Sequence, residues 1–118
     1  MATKTKSKAA KSVGIRRPAK TTHPITLSID IGGSGLKAML LDPAGNPISE
    51  RQRVPTPIIP TPAAVLKGLE VLRGMLPGFD RVSVGFPGVI KRGVTYTAAN
   101  LHPRWANFPL QAELERRW

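Results

Sequence analysis

The amino-acid sequence predicts one α/β domain with a mixed sheet, on three observations. Apolar residues alternate through Leu27, Ile29 and Ile31, stop at a glycine-rich turn, and resume as a second strand. Val65, Leu69, Leu72 and Leu76 then recur at spacings of one helical face. A further short strand at 81–86 follows that helix, and strands placed on both sides of a helix give a helix-on-sheet architecture.

Taken in order, residues 26–31 form a strand that Gly32-Gly33-Ser34-Gly35 turns into its antiparallel partner at 36–41. Asp42-Pro43-Ala44-Gly45-Asn46-Pro47 is a second turn, because proline fixes φ and glycine accepts positive φ. A third antiparallel strand is expected at 48–54, with Arg51 and Arg53 facing away from the core near a sheet edge. A proline-rich connector, Pro55-Thr56-Pro57-Ile58-Ile59-Pro60, leads to Thr61 as N-cap and Pro62 at the first helical position. Pro77-Gly78 closes that helix. After the strand at 81–86 come a Pro87-Gly88 turn, a second turn at Lys91-Arg92-Gly93, a strand at 94–97, a polar loop at 98–107 and a last helix at 109–118. That helical pattern runs to the final residue without a cap, so the chain is expected to be the N-terminal piece of something longer.

Charge divides the chain. Of 118 residues, 18 are Lys or Arg and 7 Asp or Glu, a formal charge of +11. Residues 1–23 hold Lys4, Lys6, Lys8, Lys11, Arg16, Arg17 and Lys20 and no acid, and lack apolar periodicity. They are expected to be a solvated basic tail suited to a polyanion, and 24–118 the ordered domain, whose charge is only +4. A hydrophobic content of 41% fits a globular chain, not a wholly disordered one. The apolar runs are too short for a membrane span or a secretory signal, and the absence of cysteine excludes disulfides and thiolate metal sites. A cytoplasmic location is expected.

Chemistry concentrates at the glycine turn. Glycines there let backbone N–H groups approach phosphate oxygens with no Cβ in the way. Asp30 at the end of the incoming strand can hold Mg²⁺ through water, Ser34 adds a hydroxyl, and Lys37 on the outgoing strand adds positive charge. No Gly-Lys-Ser/Thr follows and the next element is a strand, which excludes a Walker A loop and a dinucleotide fingerprint.

Three segments in order carry a resemblance: Asp30-Ile31-Gly32-Gly33-Ser34-Gly35-Leu36-Lys37, then Gly85-Phe86-Pro87-Gly88-Val89, then Ala98-Ala99-Asn100-Leu101 with Trp105. Together they resemble the ROK family of sugar kinases, and within it the polyphosphate glucokinases, over about residues 26–118. The resemblance implies an actin-like, ribonuclease-H-like fold of two α/β domains with sugar and phosphoryl donor in the cleft between them. It implies Mg²⁺ at Asp30, donor phosphate on Gly32, Gly33, Ser34, Gly35 and Lys37, and glucose against Gly88 and Asn100. Polyphosphate or ATP would be the donor, glucose 6-phosphate the product, and a homodimer the state of the full-length kinase. An amide at Asn100 suits a sugar hydroxyl because it both donates and accepts.

The pattern departs from the family in one respect. The family's general-base aspartate belongs to a segment expected beyond Trp118, and no carboxylate here matches it. The 118 residues are therefore expected to be inactive alone. Trp105 is expected to anchor packing more than to stack on sugar. His102 is expected to be a loop residue, Asp42 and Asp80 turn residues, and His23 part of the tail. Two other classes remain: an ATP-dependent kinase of the same family acting on a sugar, and a non-catalytic polyanion or nucleic-acid binder using the basic tail. The second lacks interleaved aromatics and any RNA-binding motif. A sugar-responsive repressor would need a helix-turn-helix that residues 1–23 cannot form.

Overall fold

In the computed structural model, residues 22–98 and 100–118 are described. The basic segment expected at 1–23 therefore lies outside the described residues except for Thr22 and His23. Strands β1 (Thr26–Ile31), β2 (Gly35–Leu41), β3 (Gln52–Pro55) and β4 (Arg81–Gly85) form one sheet in the order β3-β2-β1-β4. β1 pairs antiparallel with β2, β2 antiparallel with β3, and β1 parallel with β4, so the sheet is mixed as expected. Helix α1 (Pro62–Gly74) joins the two edge strands. A two-stranded ribbon of β5 (Ile90–Lys91) and β6 (Val94–Thr95), a single 3₁₀ turn at Pro103–Trp105 and helix α2 (Leu110–Arg117) complete the described structure. No helix among the described residues is long and apolar enough to cross a membrane.

The alternation in β1 and β2 decides which face is covered. Leu27, Ile29, Ile31, Leu36, Ala38 and Leu40 are buried together with Val65, Leu66, Leu69 and Leu72 of α1. Gly68 permits a close approach, since a Cβ there would stand 2.7 Å from Leu36 Cδ1. Thr61 caps α1 by accepting a hydrogen bond from the Ala64 N–H at 3.2 Å, with Pro62 following it.

The boundaries of β3 and α1 differ from the sequence expectation. β3 is shorter than 48–54 because the Ser49 hydroxyl accepts the Leu40 N–H at 2.8 Å, replacing a ladder bond with a side-chain bond. Regular pairing then begins only at Gln52. α1 ends at Gly74, before Leu76, because the Met75 and Leu76 N–H groups bond to Leu72 and Arg73 carbonyls and tighten the last turn. Leu76 still packs against the core. The turn after β5 has φ 52° at Arg92 and 79° at Gly93, the two consecutive positive values of a tight hairpin.

His23, assigned above to the tail, instead lies with Nδ1 2.5 Å from Asp80 Oδ2, and that same oxygen accepts the Ile25 N–H. The start of β1 is thus fastened beside the start of β4. At the other end of the described chain, Trp118 donates from Nε1 to Glu70 of α1 at 2.5 Å and meets Phe79 edge-on. The last helix therefore packs on the domain, although no cap was legible for it.

Candidate functional site

The sheet's register builds the site. Arg53 of β3 lies opposite Lys37 of β2, Lys37 opposite Asp30 of β1, and Asp30 opposite Gly85 of β4. Residues that oppose one another across a sheet share a face, and this row lies on the face away from α1. Arg53 and Asp30 are thus about 10 Å apart across two strand spacings, with Lys37 between them. Asp30 and Arg53 are exposed and Lys37 half-buried. Among the described residues none of the three takes part in an ion pair. The Asp30 carboxylate leans over Gly85, where a Cβ would stand 3.5 Å from Oδ1.

The glycine turn sits directly beyond this row. Gly32 N–H donates to the Gly35 carbonyl at 3.0 Å, closing the hairpin around Gly33 and Ser34. A Cβ on Gly32 would stand 2.9 Å from that carbonyl oxygen, so this closure requires glycine. Two residues of the β3 end brace the turn from one side. The Thr56 hydroxyl donates to the Gly32 carbonyl at 2.6 Å. The Ser34 carbonyl accepts from Arg53 Nη2 at 3.0 Å and from the Thr56 N–H at 3.3 Å.

A trans peptide sets N–H opposite C=O, so drawing the Gly32 carbonyl toward Thr56 turns the Gly33 N–H the other way. Gly33 and Ser34 are exposed, and neither N–H has an acceptor among the described residues. Adjacent free N–H groups at a turn are a concavity for an anion.

The two downstream motifs reach the same place. Asn100 has φ 62°, a left-handed conformation that asparagine tolerates better than most residues. This brings its Cβ to 3.4 Å from where a Gly33 Cβ would stand. Gly88 lies against the segment after β6 that leads to Asn100: a Cβ on it would fall 1.8 Å from the Thr97 carbonyl oxygen. The Val89 N–H donates to the Thr97 hydroxyl at 3.1 Å, fixing the two loops together. Asp30, Gly33, Ser34 and Asn100 are therefore exposed at one end of the sheet, with Gly32 and Lys37 half-buried beside them and Gly35 buried beneath, and Gly88 supports the rim through backbone contact.

Trp105 does not face this region. It is fully buried between Phe86 and Phe108, and its Nε1 donates to the Pro60 carbonyl at 2.8 Å. It is the packing anchor expected of it. His102 caps the 3₁₀ turn by accepting the Arg104 N–H at 3.0 Å. Asp42 is a turn residue: N–H bonds from Asn46, then Ala44, hold its carboxyl below the usual carboxylate range.

Sequence reading missed Thr56 and the bracing role of Arg53. Nothing local marks them, since the contact spans the connection from β2 to β3 and depends on register. A cavity of about 590 Å³ elsewhere, between β4 and α2, is lined by Val82, Val84, Leu110, Leu114 and Trp118 and holds none of the expected site residues.

A lone exposed carboxylate beside free N–H donors fits Mg²⁺, which binds through one or two carboxylates, waters and substrate phosphates. No group of three or more metal-ligating side chains exists among the described residues, so an all-protein metal cage is not built here.

Residues 26–118 match the ROK family. The chain is 40% identical over 91 residues to a polyphosphate glucokinase of Mycobacterium tuberculosis, covering 75% of this chain and 34% of that protein. It is 37% identical over 94 residues to an N-acetylmannosamine kinase of Escherichia coli, covering 77% of this chain and 32% of that protein. The chain thus spans about a third of the length of these curated relatives. Among solved structures, an inorganic polyphosphate/ATP-glucomannokinase from Arthrobacter superposes with TM-score 0.74 at 36% identity, covering 80% of this chain and 41% of that one. A ROK glucokinase from Streptomyces griseus, in complex with glucose and AMPPNP, superposes with TM-score 0.68 at 26% identity, covering 79% and 30%. The actin-like fold expected from the resemblance is the fold of these neighbours.

Proposed function

Because the chain belongs to the ROK family, we propose that it contributes the donor-binding wall of a sugar kinase. The reaction is transfer of a phosphoryl group from polyphosphate to the 6-hydroxyl of glucose, giving glucose 6-phosphate. The observation that carries this reading is the pair of N–H groups at exposed Gly33 and Ser34, without acceptors among the described residues, beside Asp30, Lys37 and Asn100. Similarity to the Mycobacterium polyphosphate glucokinase and the Arthrobacter polyphosphate/ATP-glucomannokinase supports inorganic polyphosphate as donor. The same Arthrobacter enzyme and the AMPPNP bound to the Streptomyces glucokinase support ATP as the other candidate.

In this reading residues 24–118 are the N-terminal domain of the kinase, and the basic residues of 1–23 an electrostatic arm for the polyanion. Gly32 and Gly35 shape the hairpin, and Gly33 and Ser34 donate to a donor phosphate. Lys37 neutralises charge on that phosphate. Asp30 holds Mg²⁺ through water, and the ion when bound supplies charge neutralisation on the donor phosphates. Asn100, adjacent to the hairpin, hydrogen-bonds the sugar. Gly88 keeps the backbone under it in place. Phosphoryl transfer depends on holding donor and acceptor in line, and a sugar residue in contact with the phosphate turn serves that need.

A ¹⁵N NMR titration tests the reading. Addition of Mg²⁺ and tripolyphosphate should shift the Gly33 and Ser34 amides saturably, and glucose should shift Asn100. Shifts confined to residues 1–23 would overturn the donor site and favour a non-catalytic polyanion binder.

A further inference from the structure

Arg53 does more than its place on an edge strand requires. Its guanidinium lies flat against the hairpin: a Cβ on Gly35 would stand 2.6 Å from Nε and 2.8 Å from Nη2. One N–H is committed to the Ser34 carbonyl at 3.0 Å. A guanidinium has five N–H donors in a fixed fork, so most of them remain available once that bond is made. The group is exposed and has no carboxylate partner among the described residues. Lys37 stands beside it in register, and the free N–H groups of Gly33 and Ser34 lie on the turn it braces.

A cation whose orientation is already fixed by the protein loses little freedom on meeting an anion, and a planar fork matches phosphate oxygens better than an ammonium does. We propose that Arg53 is a ligand of the donor's phosphate chain, binding anhydride-linked phosphates next to the one held by the hairpin while bracing that hairpin through Ser34. The ligand chemistry is a chain of anhydride-linked phosphates, whether inorganic polyphosphate or the triphosphate of a nucleotide. This inference rests on the donor site proposed above.

Thr56 provides the control, because it braces the same turn without carrying charge. The full chain, its R53Q, R53K and T56V variants would be titrated with Mg²⁺ and tripolyphosphate, long-chain polyphosphate or ATP. Affinity is read at the Gly33 and Ser34 amides, which report the hairpin and not the basic tail, and circular dichroism confirms folding. R53Q is expected to weaken tripolyphosphate at least about tenfold, as loss of a charge-assisted hydrogen bond does. Its affinity should also depend less steeply on salt. R53K should lose less, and T56V, which loosens the turn without removing a charge, should keep the wild-type salt dependence whatever affinity it loses.

Equal losses for tripolyphosphate and ATP support recognition of the shared triphosphate. A larger loss for long-chain polyphosphate than for ATP assigns Arg53 to the inorganic chain. R53Q binding like wild type would overturn the inference and leave the donor site standing. So would equal losses in R53Q and T56V with unchanged salt dependence, which would make Arg53 a brace only. Wild-type protein showing no shift at the hairpin would overturn the donor site itself, and the role of Arg53 with it.

Discussion

Gly33 faces Asn100: a Cβ built on the glycine would stand 3.4 Å from that of the asparagine. One belongs to the turn between β1 and β2, the other to the loop after β6, so this proximity exists only because the sheet and the Gly88 crossing hold both loops at one end of β1. In the proposed kinase this is where phosphate and sugar meet.

Asn100 can be tested for conformation and chemistry separately. Its φ of 62° suits glycine and strains alanine. N100G should unfold in urea within about 0.5 kcal/mol of wild type, whereas N100A should lose about 1 kcal/mol. Both should lose glucose binding, because neither retains the amide.

Gly88 and Gly85 make a matched pair. A methyl at Gly88 would collide with the Thr97 carbonyl, whereas one at Gly85 would meet Asp30 Oδ1 at an ordinary 3.5 Å. G88A should destabilise the chain by about 3 kcal/mol and G85A by less than about 1 kcal/mol, measured by urea unfolding.

Trp105 has no exposed surface and fills the space between Phe86 and Phe108. W105A should lower stability by about 3–5 kcal/mol. W105F should lose less, because it keeps a ring while forfeiting the bond to Pro60.

Asp42 predicts a pH dependence. Its folded pKa is lowered below the ordinary 3.8 by N–H bonds from Asn46 and Ala44. The stabilisation is therefore present above pH 3.8 and is lost as pH falls below it toward the folded value. Urea midpoints across pH 2.5 to 6, about the range in which carboxylates titrate, should fall on the acid side. D42N, with no charge to titrate, should show a shallower fall.

Most of the fold was legible because its signals are local. The alternation of Leu27, Ile29 and Ile31, the Thr61-Pro62 start and the stripe of Val65, Leu69 and Leu72 each follow from one segment's own period or cap. What escaped depends on contacts between distant segments. Thr56 reads as part of a proline-rich connector, yet register places its hydroxyl on Gly32. His23 reads as tail, yet Asp80 holds it. The early end of pairing above Gln52 comes from one Ser49 hydroxyl reaching Leu40, which no strand propensity encodes. The glycine turn itself was legible, but which N–H groups it frees follows only from the braces on its carbonyls.

The central claim, that these residues form the donor wall of a glucose kinase, is tested most directly in a chimera. Residues 24–118 would replace the matching segment of the Arthrobacter glucomannokinase, and glucose 6-phosphate would be assayed with Mg²⁺ and either polyphosphate or ATP. The account predicts product with polyphosphate, abolished by D30N. A folded chimera that forms no glucose 6-phosphate with either donor would contradict it.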